Sequence, residues 1–288
     1  MARNTTLSFE FYPPQTQEGV THLMQTAKAL NEYNPEFFSV TFGAGGSTKE
    51  KTLDTVLDLK KSGFNATPHI SCISSSKAEI KELLDKYKSN KINHIVALRG
   101  DNPSGSMNFG DLNYANELVS FIKSEMGNTF KIDVGAYPEV HPESESAKQD
   151  FINFKSKVEA GADSAITQFF YNVDAYFKFV DECQKHSINI PIVPGIMPIY
   201  NSKQLIRFAN NCGAEIPRWL KFKLEDYSDD LDSLREFGVD FISELSETLI
   251  QYGVPSIHFY SLNYSKTLSK IIKNISSILM KFCTFILK

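Results

Sequence analysis

Cysteine is scarce and scattered in this sequence. Cys72, Cys183, Cys212 and Cys283 stand far apart among 288 residues, with no C-x-x-C pair and no histidine at ligand spacing. That argues against a disulfide framework or a structural zinc site and suits a reducing compartment. No run of five like charges occurs, and a formal charge of −4 with a pI near 5.9 gives no electrostatic case for nucleic acid. The N-terminal MARNTTLSFEF has one basic residue and no long apolar stretch, so no secretory signal is visible. The one membrane-like segment, LSKIIKNISSILMKFCTFILK, is interrupted by Lys270, Lys273 and Lys281. Its apolar residues Leu268, Ile271, Ile272, Ile275, Ile278, Leu279 and Phe282 keep a 3-4 spacing, one face of an amphipathic helix docked on the body of the protein. The expected setting is the cytoplasm, away from membranes.

What is present is an ordinary globular balance, 42% hydrophobic and 22% charged. Short runs rich in Phe, Val and Ile predict strands at 7–12, 37–42, 65–71, 94–99, 131–136, 164–169, 190–196 and 256–261. Helical patterns lie between them, among others at 49–62, 77–90 and 148–160, and Gly63, Gly161 and Gly253 stand where helix ends should be. The last gap is long, with room for an additional helix around 229–252. Eight strands alternating with helices imply right-handed βαβ units and a parallel sheet. No G-x-G-x-x-G follows the first strand, which favours a closed (β/α)₈ barrel over an open dinucleotide-binding sheet. With no linker or shift in composition, one domain spanning 1–288 is expected.

In a barrel of this kind, active sites form at the C-terminal ends of the strands. The polar residues there should converge: Glu10, Thr41, His69, Arg99-Gly100-Asp101, Tyr137, Gln168 and the Tyr260–Asn263 segment. Glu10 interrupts a row of strand formers in LSFEFYPPQ. Burial disfavours its charged form and can hold it protonated near neutral pH as a general acid. The alternative is a structural pair with a buried base such as Arg99. Asp101, in VALRGDNP, can stabilise positive charge or form a surface pair with Arg99 before a turn. TFGAGGST (41–48) resembles a phosphate-cradling loop whose helix Ser47 or Thr48 could cap, but it lacks the G-K-[ST] of a P-loop.

His69 suits a core histidine as well as a ligand-facing one. Gln168, at the end of ITQFFYN, can both donate and accept, which fits recognition of an amide or a pterin edge, or a bond toward the helices. The loop AYPEVHPES holds Tyr137, Glu139, His141 and Glu143, yet its prolines preclude a helical i, i+4 ligand face. No metal is expected there.

Taken together, SFEFYPP, SVTFGAGGST, TPHISC, HIVALRGD, AYPEVHPE, AITQFFYN, PGIMPI and HFYSLN resemble, in order, the methylenetetrahydrofolate reductase family in its short bacterial form. The resemblance spans nearly the whole chain. It implies a barrel holding FAD at the strand C-termini, without the regulatory domain of larger members. The implied reaction reduces 5,10-methylenetetrahydrofolate to 5-methyltetrahydrofolate with NADH or NADPH, in two half-reactions through the flavin, supplying methyl groups for methionine synthesis. Glu10 matches the acid that protonates folate N10, and Asp101 matches the carboxylate that favours the cationic iminium. Flavin contacts carry over to Thr41, Phe42, Ala44, His69, Arg99, Gly100, Asp101, Tyr137, His141, Asp150, Asn153 and Lys157. Gln168, Gln204, Phe208 and Tyr264 match positions that line the folate and nicotinamide site.

Family members are homo-oligomers, often tetramers, which is the expectation here. One departure is evident: the family reads L-N-R after the last strand, whereas this chain reads SLNYSK and places Tyr264 where an Arg holds the folate tail. Two alternatives stay open. One is a flavin-dependent barrel reductase of another one-carbon or pterin substrate; the other is a non-catalytic flavin- or folate-binding relative.

Overall fold

The computed structural model describes residues 5–42, 49–100 and 110–284. The first half of the chain runs β1 (Thr6–Phe11), α1 (Gln17–Asn31), β2 (Phe38–Val40), α2 (Lys49–Lys61), β3 (Ala66–Ser71), α3 (Lys77–Ser89), β4 (His94–Leu98) and α4 (Ala115–Met126). Next come β5 (Lys131–Ala136), α5 (Ala147–Glu159), β6 (Ser164–Thr167), α6 (Val173–Lys185), β7 (Ile192–Val193) and β8 (Gly195–Ile196). The chain continues through α7 (Ser202–Cys212), α8 (Arg218–Asp226), α9 (Leu231–Tyr252), β9 (Ser256–Tyr260) and α10 (Lys266–Thr284). The strands follow the order β7-β6-β5-β4-β3-β2-β1-β9-β8, and their pairings are parallel.

This is the expected (β/α)₈ barrel, with one informative difference. The strand expected at 190–196 is two short pieces either side of Pro194, β7 pairing with β6 and β8 with β9. Proline has no N–H to donate to a ladder, so the strand breaks there and changes partners. The Pro194 carbonyl still accepts from His258 N at 3.0 Å, and Gly195 N donates to Thr167 Oγ1 at 2.9 Å. The two ends of the sheet thus meet across a single residue. The long gap before β9 holds α7, α8 and α9, the last coinciding with the helix expected at 229–252.

Strand alternation divides the interior in two. Leu7, Phe9 and Phe11 of β1 face the helices, where Phe9 stacks on Phe38 and Phe259 with ring centroids 5.9 and 6.1 Å apart. Burying each such ring contributes about 1.5–3 kcal/mol. The same outer core takes Leu268, Ile271, Ile272 and Ile275 of α10, as the 3-4 spacing predicts, and α10 packs along α9. Among the described residues, no helix is long and apolar enough to cross a membrane.

Inside the barrel, a small apolar group of Phe37, Val96 and Ile166 is packed by Leu98 and Val193. Around it lies a buried polar chain. Thr67 Oγ1 is 3.2 Å from His94 Nδ1, His94 Nε2 is 2.8 Å from Asp133 Oδ2, and Ser164 Oγ donates to Asp133 Oδ1. Burial works to raise the Asp133 pKa. The His94 hydrogen bond and charge, helped by Lys131 and Ser164, outweigh it and hold the carboxyl below its ordinary value.

Gly195 shows how tightly the seam is built. A Cβ there would lie 2.1 Å from the Thr167 carbonyl oxygen and 2.7 Å from the Tyr260 ring. Gly195→Ala should destabilise the barrel by about 2–3 kcal/mol, lowering Tm by roughly 4–10 °C. A thermal melt with an unchanged Tm would show that β8 can shift away from β6 freely.

Candidate active site

Glu10 is the last inward residue of β1, paired in register with Ser39 on one side and Tyr260 on the other. Its side chain keeps 18% exposure, so it is recessed rather than sealed. Its Oε2 lies 3.5 Å from His69 Nε2 of β3 and 3.8 Å from His258 Nε2 of β9. Among the described residues these two imidazoles are its ion-pair partners, whereas the Arg99 guanidinium meets Glu143. The structural pairing of Glu10 with Arg99 that the sequence left open is therefore not among the ion pairs formed.

His69 is fully buried, which lowers its pKa despite the opposing pull of the Glu10 charge. Its Nε2 makes no hydrogen bond. Tyr260 donates its hydroxyl to the Thr167 carbonyl at 2.7 Å, and burial, followed by the Glu10 charge, raises its pKa well above the ordinary value. The site thus sets a carboxyl group against two imidazoles and a tyrosine ring.

The segment after β9 is bolted to the end of β1. Ser261 N donates to the Glu10 carbonyl at 3.2 Å, and the Ser261 hydroxyl donates to the same oxygen. Asn263 Oδ1 accepts from Tyr12 N at 3.0 Å, while its Nδ2 donates to the Tyr12 carbonyl at 2.9 Å. Leu262 and Asn263 hold positive φ angles of 51° and 60°. Left-handed backbone at non-glycine residues costs about 1–3 kcal/mol and gathers at functional sites. Tyr264 emerges at the rim with 50% exposure, its ring near those of His22 and Tyr200 at 5.9 and 5.5 Å.

The expected cofactor residues occupy neighbouring strand ends. Thr41 N donates to the Phe11 carbonyl at 2.9 Å, the Thr41 carbonyl takes the Thr52 hydroxyl at 2.9 Å, and Phe42 follows half-buried. The Ser71 hydroxyl donates to the Arg99 carbonyl at 2.6 Å, and Gly100 crosses Ser71 so closely that a Cβ would lie 2.1 Å from its Oγ. Tyr137 and His141 form an edge-on ring pair at 4.4 Å. Val140 between them has φ 74°, an outlier for a β-branched residue.

On α5, Asp150 takes the His141 N–H and the Ser144 hydroxyl, both at 3.1 Å, and so shapes this loop. Asn153 Oδ1 accepts from Gln149 at 2.9 Å. Lys157 donates to the Gly135 carbonyl at 2.6 Å, and burial lowers its pKa to about 8. Gln168 starts the loop after β6, its Oε1 taking the Phe169 N–H at 3.0 Å. Gln204 lies in the first turn of α7, capped by Asn201, and Phe208 sits half-buried one turn on. Ala44, Ser47, Thr48 and Asp101 lie outside the described residues.

Two features escaped the sequence reading. His258 is buried beneath Glu10, and its only signal was the alternation of Ser256, His258 and Tyr260 along β9. Glu139, noticed only as a metal candidate, accepts from Glu215 N at 2.8 Å. Burial, with Glu215 nearby, pushes its pKa up to about 7. Among the described residues, no group of three or more His, Cys, Asp or Glu could hold a metal ion.

Known proteins resemble this chain along most of its length. The chain is 41% identical over 265 residues to 5,10-methylenetetrahydrofolate reductase of Buchnera aphidicola subsp. Schizaphis graminum, spanning 92% of this chain and 89% of that protein. To the enzyme of the same name from Escherichia coli K12 it is 40% identical over 258 residues, covering 89% and 86%. A solved structure of an uncharacterized Clostridium thermocellum protein that binds two copies of 5-methyl-5,6,7,8-tetrahydrofolic acid superposes with TM-score 0.67. That match is 17% identical and covers 97% of this chain and 96% of the other, so it speaks for the fold alone. The family model described as methylenetetrahydrofolate reductase matches residues 1–276, and the chain belongs to that family.

Proposed function

We propose that this chain reduces 5,10-methylenetetrahydrofolate to 5-methyltetrahydrofolate with NADH or NADPH as reductant and FAD as resident cofactor. The observation that carries the reading is Glu10, a recessed carboxyl at a strand end facing two buried imidazoles. Ring opening of the substrate to its iminium needs a proton at N10, and a carboxyl at this strand end is placed to give one. Asp101 would favour the cationic iminium by its charge. Gln168 would orient the pterin and, in turn, the nicotinamide, with Gln204 and Phe208 lining the same space.

The strand ends fit a flavin. His69 Nε2 is a buried nitrogen without a hydrogen bond, and Tyr137 and His141 present an edge-on ring pair after β5. Thr41, Phe42, Ala44, Arg99, Gly100, Asp101 and the α5 residues Asp150, Asn153 and Lys157 would complete the cradle, the cations suiting an anionic diphosphate. When bound, FAD supplies hydride chemistry; the chain supplies placement, a proton and exclusion of water. The same reading makes methionine synthesis the consumer of the product, in the cytoplasm, with the chain working as a homo-oligomer, a tetramer as in many relatives.

The purified protein should be yellow and bleach on anaerobic addition of NADH or NADPH, the colour returning with 5,10-methylenetetrahydrofolate. A colourless protein that takes up no FAD would remove the reading. Bleaching without folate-dependent recovery would point to another one-carbon or pterin acceptor. Glu10→Gln should keep the nicotinamide half-reaction and slow the folate half-reaction by about 100-fold or more. Equal losses in both would make Glu10 structural. Tyr264→Arg should lower the folate KM by roughly 2- to 5-fold with little change in kcat, as an exposed charge pair is worth about 0.5–1 kcal/mol. An unchanged KM would mean that this position does not meet the folate tail.

A further inference from the structure

His258 belongs to β9 and is fully buried. Its Nδ1 lies 2.7 Å from Ser8 Oγ, and its Nε2 lies 3.4 Å from Ser39 Oγ and 3.8 Å from Glu10 Oε2. The register explains the cluster. Ser8 and Glu10 share the inner face of β1, Ser8 opposite His258 in β9 and Glu10 opposite Ser39 in β2. Phe37 stacks against the imidazole at 5.9 Å, and Tyr260 meets it edge-on at 5.5 Å with its hydroxyl already given to Thr167. The ring therefore has few choices of partner.

A neutral imidazole has one donor and one acceptor nitrogen. Ser8 Oγ and Ser39 Oγ can each donate to the ring or accept from it, so two tautomers fit these partners. In the tautomer where the Ser8 hydroxyl donates to Nδ1, the proton resides on Nε2 and points toward Ser39 and Glu10. His69 Nε2 approaches the same Glu10 oxygen, Oε2, from the other side at 3.5 Å. A protonated carboxyl has one oxygen that carries the proton and one that only accepts. An N–H aimed at Oε2 makes that oxygen the acceptor and leaves the proton on Oε1. These separations exceed a direct hydrogen bond, and contacts of this kind shorten when substrate is in place.

We propose that His258, its tautomer set by Ser8, is a positioning residue that fixes the acid proton of Glu10 on Oε1, turned away from the two imidazoles. The proposal rests on the reading of Glu10 as the acid of the folate half-reaction. It predicts a split between the half-reactions that loss of packing alone does not produce.

The test compares His258→Leu with His258→Gln, whose side-chain amide keeps an N–H donor. Both half-reactions are followed anaerobically in the FAD-loaded protein, with NADH and then with 5,10-methylenetetrahydrofolate. In His258→Leu the folate half-reaction should fall at least about 10-fold more than the NADH half-reaction, and His258→Gln should recover most of the loss. Equal losses in both half-reactions, or a glutamine variant no better than the leucine one, would overturn the proposal.

A second readout needs no turnover. In ¹⁵N-histidine-labelled protein, NMR should show His258 as the Nε2–H tautomer, with Ser8→Ala giving a mixture. A wild-type His258 protonated on Nδ1 contradicts the proposal even if His258→Leu fails to fold. A wild-type flavin that folate cannot reoxidise would sink the functional reading and this proposal with it, whereas a wrong tautomer sinks this proposal alone.

Discussion

Everything at the mouth of this barrel depends on how Ile192–Ile196 joins the two ends of the sheet. Pro194 cannot donate to a ladder, so the segment leaves β6 and takes up β9 within one residue. Gly195 makes the crossing possible, lying against the Thr167 carbonyl where no side chain fits. Closure in turn sets the register of β9 against β1, which puts His258 opposite Ser8 and Tyr260 opposite Glu10. Had β9 slipped by one residue, Phe259 would face the interior and the imidazole would face the helices.

The inner face so formed is unusually polar for a barrel. Two networks divide it, Thr67–His94–Asp133–Ser164 on one side and Ser8–His258–Ser39 on the other, with Phe37 wedged between the histidines. A buried polar group without a partner costs about 1–3 kcal/mol, so such networks hold only when nearly complete. One gap is at the mouth, where His69 Nε2 is left without a hydrogen bond beside Glu10, and another is Thr6 Oγ1 at the start of β1. The mouth carries left-handed backbone at Val140, Leu262 and Asn263. Left-handed backbone also occurs before strands, at Asn34, Lys91 and Ser187, so what sets the mouth apart is the carboxyl and imidazoles gathered there.

Much of this was legible in the sequence because periodicity reports burial directly. The eight strands, the helices at 49–62, 77–90 and 148–160, and the docked face of α10 as far as Ile275 follow from spacing alone and have counterparts in the fold. The side chains of Ile278, Leu279 and Phe282 lie outside the described residues. Glu10 was legible as a charge in an apolar run. What was hidden was pairing between distant strands. Nothing local tells whether Glu10 meets Arg99 or two histidines, because that depends on which strands lie side by side after closure. His258 was hidden for the same reason, since a polar residue within SIHFYS gains meaning only from Ser8, 250 residues away. The split of the seventh strand could have been read from Pro194, whose missing donor is a local property.

On the proposed function, Glu10 would give its proton to folate from the oxygen left free by the two imidazoles. The most direct measurement is a crystal structure of the FAD-loaded protein with 5-methyltetrahydrofolate bound. The account predicts Glu10 Oε1 within about 3 Å of folate N10, directly or through one water, with Oε2 still against His69 and His258. A folate whose N10 faces away from Glu10, or a Glu10 side chain turned out of the imidazole pair, would contradict it.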